Sequence, residues 1–170
     1  MLDIHLDLEA GGLAANAALY SIGAVAVQGG EIIDQFHMRI SPQTGCNRWL
    51  RHENRMWWLA NNPREWEKIQ KSLVHPTVAL TRFQEWITKH NPDRVWVKRF
   101  MDPIWLESAY SVSNLKNPIG HQQFRELVTY LECKGVEVTA PQTGAHNALN
   151  DATHQAQLFI IGESKWQLHL

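Results

Sequence analysis

The sequence predicts an α/β fold in which a mixed β-sheet is flanked by helices. Two observations support this class: the first 40 residues hold three β-rich segments joined by glycine-containing turns, and later helical patterns are interrupted by the apolar strand Arg94–Val97. A helix between two strands is the usual way for a chain to cross over a sheet. The 170 residues contain no low-complexity segment and no internal repeat, which favours a single domain spanning residues 1–170.

Composition excludes several classes of protein. The N-terminus is acidic where a signal peptide would be basic, and the sequence has no apolar segment of membrane length. Cys46 and Cys133 have no metal-type spacing and do not form a disulfide framework. These features favour a cytoplasmic protein with no membrane contact. The net charge of −1 lacks the basic excess of a protein that holds nucleic acid by charge alone. Bound metal that neutralised four carboxylates would make the charge positive, so net charge does not decide whether nucleic acid binds.

The first predicted strand covers Ile4 to Glu9 and carries two acids. Alternation places Asp7 and Glu9 on one face and Leu6 and Leu8 on the other. Acidic residues are depleted in strands, and like charges this close destabilise a protein unless a proton or cation neutralises them. The pair is therefore either the wet face of an edge strand or part of a cation site.

Two further strands follow the first and form an antiparallel meander with it. Small residues at positions 10–18 predict a loop beside the two carboxylates. Residues 19–27 are β-rich, and Gly29-Gly30 marks a tight turn into a third strand at residues 32–40. A meander of this kind needs helices on at least one face to complete a core.

Basic and aromatic residues are interleaved between Pro42 and Val78, where the pattern becomes helical. They are Arg48, Trp49, Arg51, His52, Arg55, Trp57, Trp58 and Trp66. Helical periodicity favours a core position for Trp66, on a helix that begins near Pro63. The adjacent Trp57 and Trp58 cannot both face one core from a helix, so one of them is expected to line a groove. Core packing and base stacking both remain open for that ring.

The next predicted elements are a helix over residues 77–90, the strand Arg94–Val97, and a helix that begins near Pro103. Asp102 has two interpretations. With Pro103 at the first helical position, Asp102 would be an N-cap. Because it follows a central strand, it would equally lie where α/β sheets place their chemistry.

The last third of the chain ends in a helix with a small-residue face. Residues 122–133 form either a short strand followed by a helix or one longer helix. Ala148, Ala152 and Ala156 mark a face that packs closely, with Asp151 in the early turns and His146 just before them. An acid near a helix N-terminus is favourable without any function, so neither residue indicates a site alone.

Taken in order, these segments resemble the histidine branch of the DEDD exonuclease superfamily. The segments that carry the resemblance are Leu6-Asp7-Leu8-Glu9, Ser21-Ile22-Gly23-Ala24-Val25, Trp57-Trp58, Val95-Trp96 with Asp102 and Leu106-Glu107-Ser108-Ala109-Tyr110, and His146-Asn147-Ala148-Leu149-Asn150-Asp151-Ala152 with Gln155-Ala156. The pattern is similar to the branch that contains phage exonuclease A and the mycobacterial-type 3′-to-5′ exoribonuclease. The resemblance implies an RNase H-like fold, whose central mixed five-stranded sheet combines an antiparallel three-strand meander with parallel strands.

The resemblance also implies an activity. It points to a metal-dependent 3′-to-5′ exonuclease that hydrolyses single-stranded DNA or RNA to nucleoside 5′-monophosphates, and to a possible homodimer. Asp7, Glu9, Asp102 and Asp151 would hold two Mg²⁺ or Mn²⁺ ions, with His146 as the general base. The residue types suit these roles, because hard cations prefer carboxylate oxygens and an imidazole exchanges protons near neutral pH.

The sequence also departs from its relatives. Ala10 replaces a common Thr or Ser, and Val97, Lys98 and Arg99 replace small residues before the second acid. Larger side chains there would narrow the pocket or contact phosphate, and we expect Arg99 to bind substrate together with the Trp57-Trp58 pair. The alternative is a nucleic-acid-binding module that keeps the fold with weak or no turnover. A third possibility is an endonuclease.

Overall fold

The computed structural model describes residues 1–42, 52–141 and 146–167, with side chains described from Arg55 in the second range and up to Lys165 in the third. Arg48, Trp49, Arg51 and the side chain of His52 lie outside the described part. The strands are β1 (Leu2–Ala10), β2 (Leu19–Gln28), β3 (Glu31–Arg39), β4 (Arg94–Val97) and β5 (Phe124–Glu126). The helices are α1 (His52–Asn61), α2 (Pro63–Lys71), α3 (Pro76–His90), α4 (Met101–Val112), α5 (Leu127–Cys133) and α6 (Ala148–Gln167).

The five strands form one mixed sheet in the order β3-β2-β1-β4-β5. β1 and β3 both pair with β2 in antiparallel fashion, whereas β4 pairs in parallel with β1 and β5. This confirms the predicted meander with added parallel strands. β1 is the middle strand of the sheet, so the interpretation of Asp7 and Glu9 as the wet face of an edge strand is wrong.

Helices cover both faces of the sheet. On one face α3 and α4 pack against inward side chains of β1, β2 and β4, including Leu6, Ile22 and Val97. On the other face α5 and α6 pack against Val25 and Trp96. Residues that alternate along β1 and β2 therefore enter two different cores, as the period of a strand requires. The predicted face of Leu6 and Leu8 is confirmed, because both lie in the core of α3 and α4.

α1 and α2 form a hairpin that packs against the start of β2. Trp58, Trp66 and Ile69 surround Tyr20 of β2 in a small buried cluster. α2 begins at Pro63, and the Asn62 side chain accepts a hydrogen bond from the Glu65 N–H as the N-cap. The core position predicted for Trp66 is confirmed, with 1% of its surface exposed.

Two boundaries resolve alternatives that the sequence leaves open. α4 begins at Met101 after Phe100, so Asp102 lies inside the first turn and the N-cap interpretation of Asp102 is wrong. Residues 121–133 form a short 3₁₀ turn, the three-residue strand β5 and then α5. The short strand followed by a helix is therefore the correct alternative, and β5 supplies the fifth strand.

α6 lies unusually close to the sheet at Gly23. A Cβ atom added to Gly23 would lie 2.1 Å from the carbonyl carbon of Ala148 and 2.3 Å from the Leu149 nitrogen, far inside van der Waals contact. Gly23 pairs directly with Asp7 across the β1–β2 ladder. The missing side chain therefore brings the first turn of α6 next to the acidic part of β1.

β1 and β4 have unequal lengths. Their pairing ends at Leu6 and Val97, while β1 continues to Ala10. Beyond Val97 the chain turns away into α4. One edge of the last four residues of β1 is therefore left uncovered by β4.

Among the helices of the described ranges, none has the length and apolar character needed to cross a membrane.

Candidate active site

The acidic residues of β1 face α6. Asp7 Oδ1 accepts a hydrogen bond of 2.8 Å from Nε2 of Gln155, which lies two turns into α6. Glu9 is on the same face, two residues along the strand, and 9% of its surface is exposed. Gly23 opposite Asp7 removes the side chain that would otherwise separate these carboxylates from α6.

Asp151 of α6 completes a cluster of three carboxylates. One oxygen each from Asp7, Glu9 and Asp151 lies within 4.8 Å of the other two. The first turn of α6 holds Asp151 in place, because its Oδ2 accepts a hydrogen bond of 3.1 Å from the N–H of Asn147. The Asn147 Oδ1 in turn accepts from the Asn150 N–H and caps the helix.

Asp102 approaches β1 along the edge that β4 leaves uncovered. Its Oδ1 accepts a hydrogen bond of 2.9 Å from the Leu8 N–H, between the two acidic residues of β1. A backbone donor that has no partner strand is thereby satisfied by a side chain. Asp102 is 93% buried and lies near enough to Asp7 and Glu9 for its charge to affect both.

Burial and mutual repulsion both act on the cluster. Burial raises the pKa of Asp7 well above its ordinary value, and the charges of Asp102, Glu9 and Asp151 raise this pKa further. The pKa of Glu9 is also raised well above normal, first by burial and then by Asp151 and Asp102. Anions held this close favour either a proton or a cation between them.

The pKa values of Asp102 and Asp151 are raised less, because hydrogen-bond donors and positive charges near these carboxylates oppose the effect of burial. Burial raises the pKa of Asp102 to about 7, although the Leu8 N–H and the charge of Lys98 oppose the shift. The pKa of Asp151 is also raised by burial, while His146 and Lys98 oppose the rise. Lys98 therefore lies close enough to the cluster to stabilise its negative charge, a role beyond the narrowed pocket or the phosphate contact expected from the sequence.

The donor set fits a hard divalent cation. Carboxylate oxygens are the ligands that Mg²⁺ and Mn²⁺ prefer, and three of them converge here from two elements. A cation would also relieve the repulsion that raises the pKa values of Asp7 and Glu9. The residues of the site therefore fit the metal that the sequence suggests.

His146 lies just before α6, next to the helical hairpin. Its backbone has a φ of 60°, in the left-handed region, and its carbonyl oxygen accepts a hydrogen bond of 3.3 Å from Nδ2 of Asn62. Its imidazole contacts the ring of Trp57 edge to face, with 4.8 Å between centroids. The side chain is exposed at the same end of α6 that carries Asp151.

The two adjacent tryptophans of α1 have different environments. Trp58 is buried, with 2% of its surface exposed, whereas 42% of Trp57 is exposed. This confirms that one ring of the pair faces outward near the site. A substrate-binding role for Trp58 does not fit its burial, and Trp57 is the remaining candidate. Arg99 is exposed in the turn between β4 and α4.

Two residues of the site were given no role from the sequence, although Gln155 belongs to a segment that carries the resemblance. Gln155 contacts Asp7, and its position four residues after Asp151 on the same helix face was the available signal. Glu65 is 5% exposed, and its carboxylate accepts hydrogen bonds from Arg39 at 2.6 and 3.1 Å. Its charge reaches Glu9, although no short motif marks it because its partners are distant in sequence.

The folds of known exonucleases resemble this chain over nearly its whole length. The nuclease domain of 3′hExo, a DEDDh family member bound to rAMP, is 15% identical with a TM-score of 0.64, and the match covers 96% of this chain and 92% of that one. A full-length 3′-exonuclease is 14% identical with a TM-score of 0.65, and 97% of this chain matches 61% of it. For E. coli exonuclease I in complex with a dT13 oligonucleotide the identity is 11% and the TM-score 0.72, with 99% of this chain covering 42% of that enzyme.

Sequence comparison assigns the family. No curated protein sequence matches the chain. The model of the Rv2179c-like 3′-5′ exoribonuclease domain, in contrast, matches residues 3–161, a range that includes all five site residues. The chain therefore belongs to the family of Rv2179c-like 3′-5′ exoribonuclease domains. Its RNase H-like fold is similar to that of the DEDDh family member 3′hExo.

Proposed function

We propose that this protein hydrolyses single-stranded nucleic acid from the 3′ end and releases nucleoside 5′-monophosphates, using two Mg²⁺ or Mn²⁺ ions held by Asp7, Glu9, Asp102 and Asp151. The observation that supports this most directly is the convergence of carboxylate oxygens from Asp7, Glu9 and Asp151 within 4.8 Å of one another. RNA is the first substrate to test, because the family is described as exoribonucleases.

The four carboxylates have different tasks in this proposal. When bound, divalent cations stabilise the negative charge on the attacking and leaving oxygens of a phosphodiester. Asp7, which the charges of all three other acids reach, would be a ligand of both ions, and Gln155 fixes its orientation. Glu9 and Asp151 would add ligands from β1 and α6 close to Asp7. Asp102 adds a carboxylate from the edge of β1 and is held there by the Leu8 N–H.

His146 is proposed to take a proton from the attacking water. The residue lies at the exposed end of the cluster, and the first turn of α6 joins it to Asp151. An imidazole near a scissile phosphate suits this role because it accepts and releases protons close to neutral pH. Its exposure leaves room for both water and substrate.

Two exposed side chains are proposed to bind the strand. The free surface of Trp57 is available for stacking a base, a contact that tolerates any base because each has a π-face. Arg99 follows β4 on the route to Asp102, and a guanidinium at this position suits a phosphate of the strand. The stacking contact depends on single-stranded substrate, because it requires an unpaired base.

The test uses matched RNA and DNA oligonucleotides of one sequence, labelled at either the 3′ or the 5′ end. With Mg²⁺ present, a 3′ label is expected to appear at once as a mononucleotide, while a 5′ label appears in a ladder of shortening products. EDTA should stop both reactions. Binding without any product supports the alternative of an inactive module, and cleavage of circular single strands supports an endonuclease.

A further inference from the structure

We propose that Trp57 is a positioning residue for His146: the α1–α2 hairpin holds the imidazole against the same indole ring that faces the substrate. The inference rests on the proposed role of His146 in removing a proton from water. It assigns Trp57 a second task that base stacking alone does not include.

The ring contact is the first part of the argument. The Trp57 and His146 rings are 4.8 Å apart and nearly perpendicular, at 89°. Such edge-to-face contacts are favourable because the electron-poor edge of one ring meets the electron-rich face of the other. Trp58 is the more distant neighbour, with 6.4 Å between its ring centroid and that of His146. Because the rest of His146 is exposed, the closer Trp57 contact restricts a side chain that would freely change rotamer in solvent.

Trp57 can restrict His146 because it is itself anchored. Its ring contacts Trp58 edge to face at 5.5 Å, and Trp58 stacks on Trp66 of α2 at 6.2 Å with 28° between the planes. Trp66 contacts Tyr20 of β2 at 5.3 Å. A continuous row of aromatic rings therefore connects the sheet with the imidazole, and three of its members are buried.

The backbone near His146 is fixed by the same hairpin. Nδ2 of Asn62 donates to the His146 carbonyl oxygen at 3.3 Å, while Oδ1 of Asn62 caps α2. The neighbouring Asn147 side chain hydrogen-bonds to Glu65, which is buried and paired with Arg39. These contacts support His146 in the left-handed conformation, which non-glycine residues adopt only where the surroundings favour it.

Stacking and positioning have different kinetic consequences. Loss of a stacking surface weakens binding of the strand and raises KM, with or without the imidazole. Loss of positioning lowers the rate at saturating substrate, and this effect requires the imidazole to be present. The two tasks of Trp57 can therefore be separated in a double-mutant cycle with His146.

The experiment measures single-turnover rates at saturating oligonucleotide for Trp57→Ala, Trp57→Phe, His146→Ala and the double variant Trp57→Ala/His146→Ala. We expect Trp57→Ala to lower the rate at least about 10-fold. A positioned base contributes roughly 10²- to 10⁴-fold, and loss of its positioning should remove part of that contribution. Trp57→Phe keeps a ring and should recover most of this loss. Without the imidazole, Trp57→Ala should change the rate by less than about twofold.

Leu59→Ala is the matched control, because Leu59 lies on the same helix and is similarly exposed at 41%. It should leave the rate unchanged. An equal loss from Trp57→Ala in the presence and absence of His146, or an unchanged rate of Trp57→Ala at saturating oligonucleotide, would overturn the proposal.

A second readout does not need activity. NMR signals of the His146 ring protons, assigned from their absence in His146→Ala, should be displaced by the adjacent indole. Trp57→Ala should move them toward the positions of free histidine, whereas Leu59→Ala should not. Ring signals that stay unchanged in folded Trp57→Ala overturn the inference. If the wild-type protein lacks exonuclease activity but shows the shift, the proposed function fails while the contact holds.

Discussion

His146 and Asp151 both lie at the start of α6, but we expect their variants to fail in different ways. His146→Ala keeps all four carboxylates, so Mg²⁺ should still raise the melting temperature while turnover falls by about 10²- to 10⁴-fold. Part of this loss should return at higher pH, where hydroxide is more abundant. Asp151→Asn removes a ligand charge from the cluster, so metal affinity and turnover should fall together at every pH.

Thermal melts with and without Mg²⁺, alongside initial rates, check this pair of variants. If His146→Ala abolishes the metal-induced shift, the imidazole is a ligand or a structural group. If it keeps near-normal turnover at neutral pH, another group removes the proton.

At the scale of single residues, the sequence predicts what local periodicity controls. Alternation along β1 places Asp7 and Glu9 on one face, and the structure confirms it. The role of Asp102 is not decidable from neighbours, because its partner is the Leu8 N–H, 94 residues earlier. The role of Glu65 cannot be predicted from its neighbours either, since its partners Arg39 and Asn147 are distant in sequence.

At the scale of elements, the close contact between Gly23 and α6 predicts that Gly23→Ala destabilises the protein. The added methyl of Gly23→Ala would overlap backbone atoms of Ala148, which cannot move without shifting the helix. Overpacking of this kind destabilises proteins by about 1–3 kcal/mol or more. Because the helix carries Asp151, metal binding and turnover should fall with stability.

The matched control is Gly162→Ala on the same helix. There the added Cβ would meet the Leu131 side chain at 3.4 Å, an ordinary contact. Replacing glycine by alanine inside a helix stabilises it by about 0.5–1 kcal/mol. Urea unfolding and Mg²⁺-dependent melts of both variants test the contrast. Equal stability of the two variants would contradict the close approach of α6.

How well each helix or strand could be predicted depends on its length and on how clear its hydrophobic pattern is. β4 was predicted with its observed bounds because Val95-Trp96-Val97 is apolar and follows a clear helix end at Asn91, which adopts the left-handed conformation. β5 could not be distinguished from a helix, since three residues are too few to show a period. The contacts of Trp57 and Asn62 with His146 could not be predicted either, because they join α1 and α2 to the start of α6, which is distant in sequence.

For the whole molecule, we expect the metal-free protein to lose stability as pH rises from 6.5 to 8. Burial and repulsion raise the folded-state pKa values of Asp7 and Glu9 well above normal, and burial raises the pKa of Asp102 to about 7. In this window the folded state holds more protons than the unfolded state, so the free energy of unfolding decreases with pH. The shift belongs to the cluster as a whole, because its members are coupled.

This pH range begins at 6.5 because, at lower pH, the titration of His5 makes the free energy of unfolding increase with pH. Burial lowers the pKa of His5 to about 3, so between pH 3 and 6.5 the unfolded state binds the additional proton. Melting temperatures measured in EDTA below and above pH 6.5 test these opposite pH dependences. Asp7→Asn should flatten the decrease above pH 6.5, and saturating Mg²⁺ should stabilise the wild type most at pH 8, where protons compete least. A wild-type melting temperature in EDTA that rises from pH 6.5 to 8 would contradict the prediction.

The unequal lengths of β1 and β4 leave an open strand edge beside the acidic cluster. Four residues of β1 continue beyond Leu6, the last residue paired with β4, and at roughly 3.3 Å per residue they span about 13 Å. This span depends on where β4 stops rather than on any carboxylate. Substitutions at Asp7 or Glu9 therefore change the chemistry along this edge but not its length, whereas a longer β4 would cover the backbone donor that now binds Asp102.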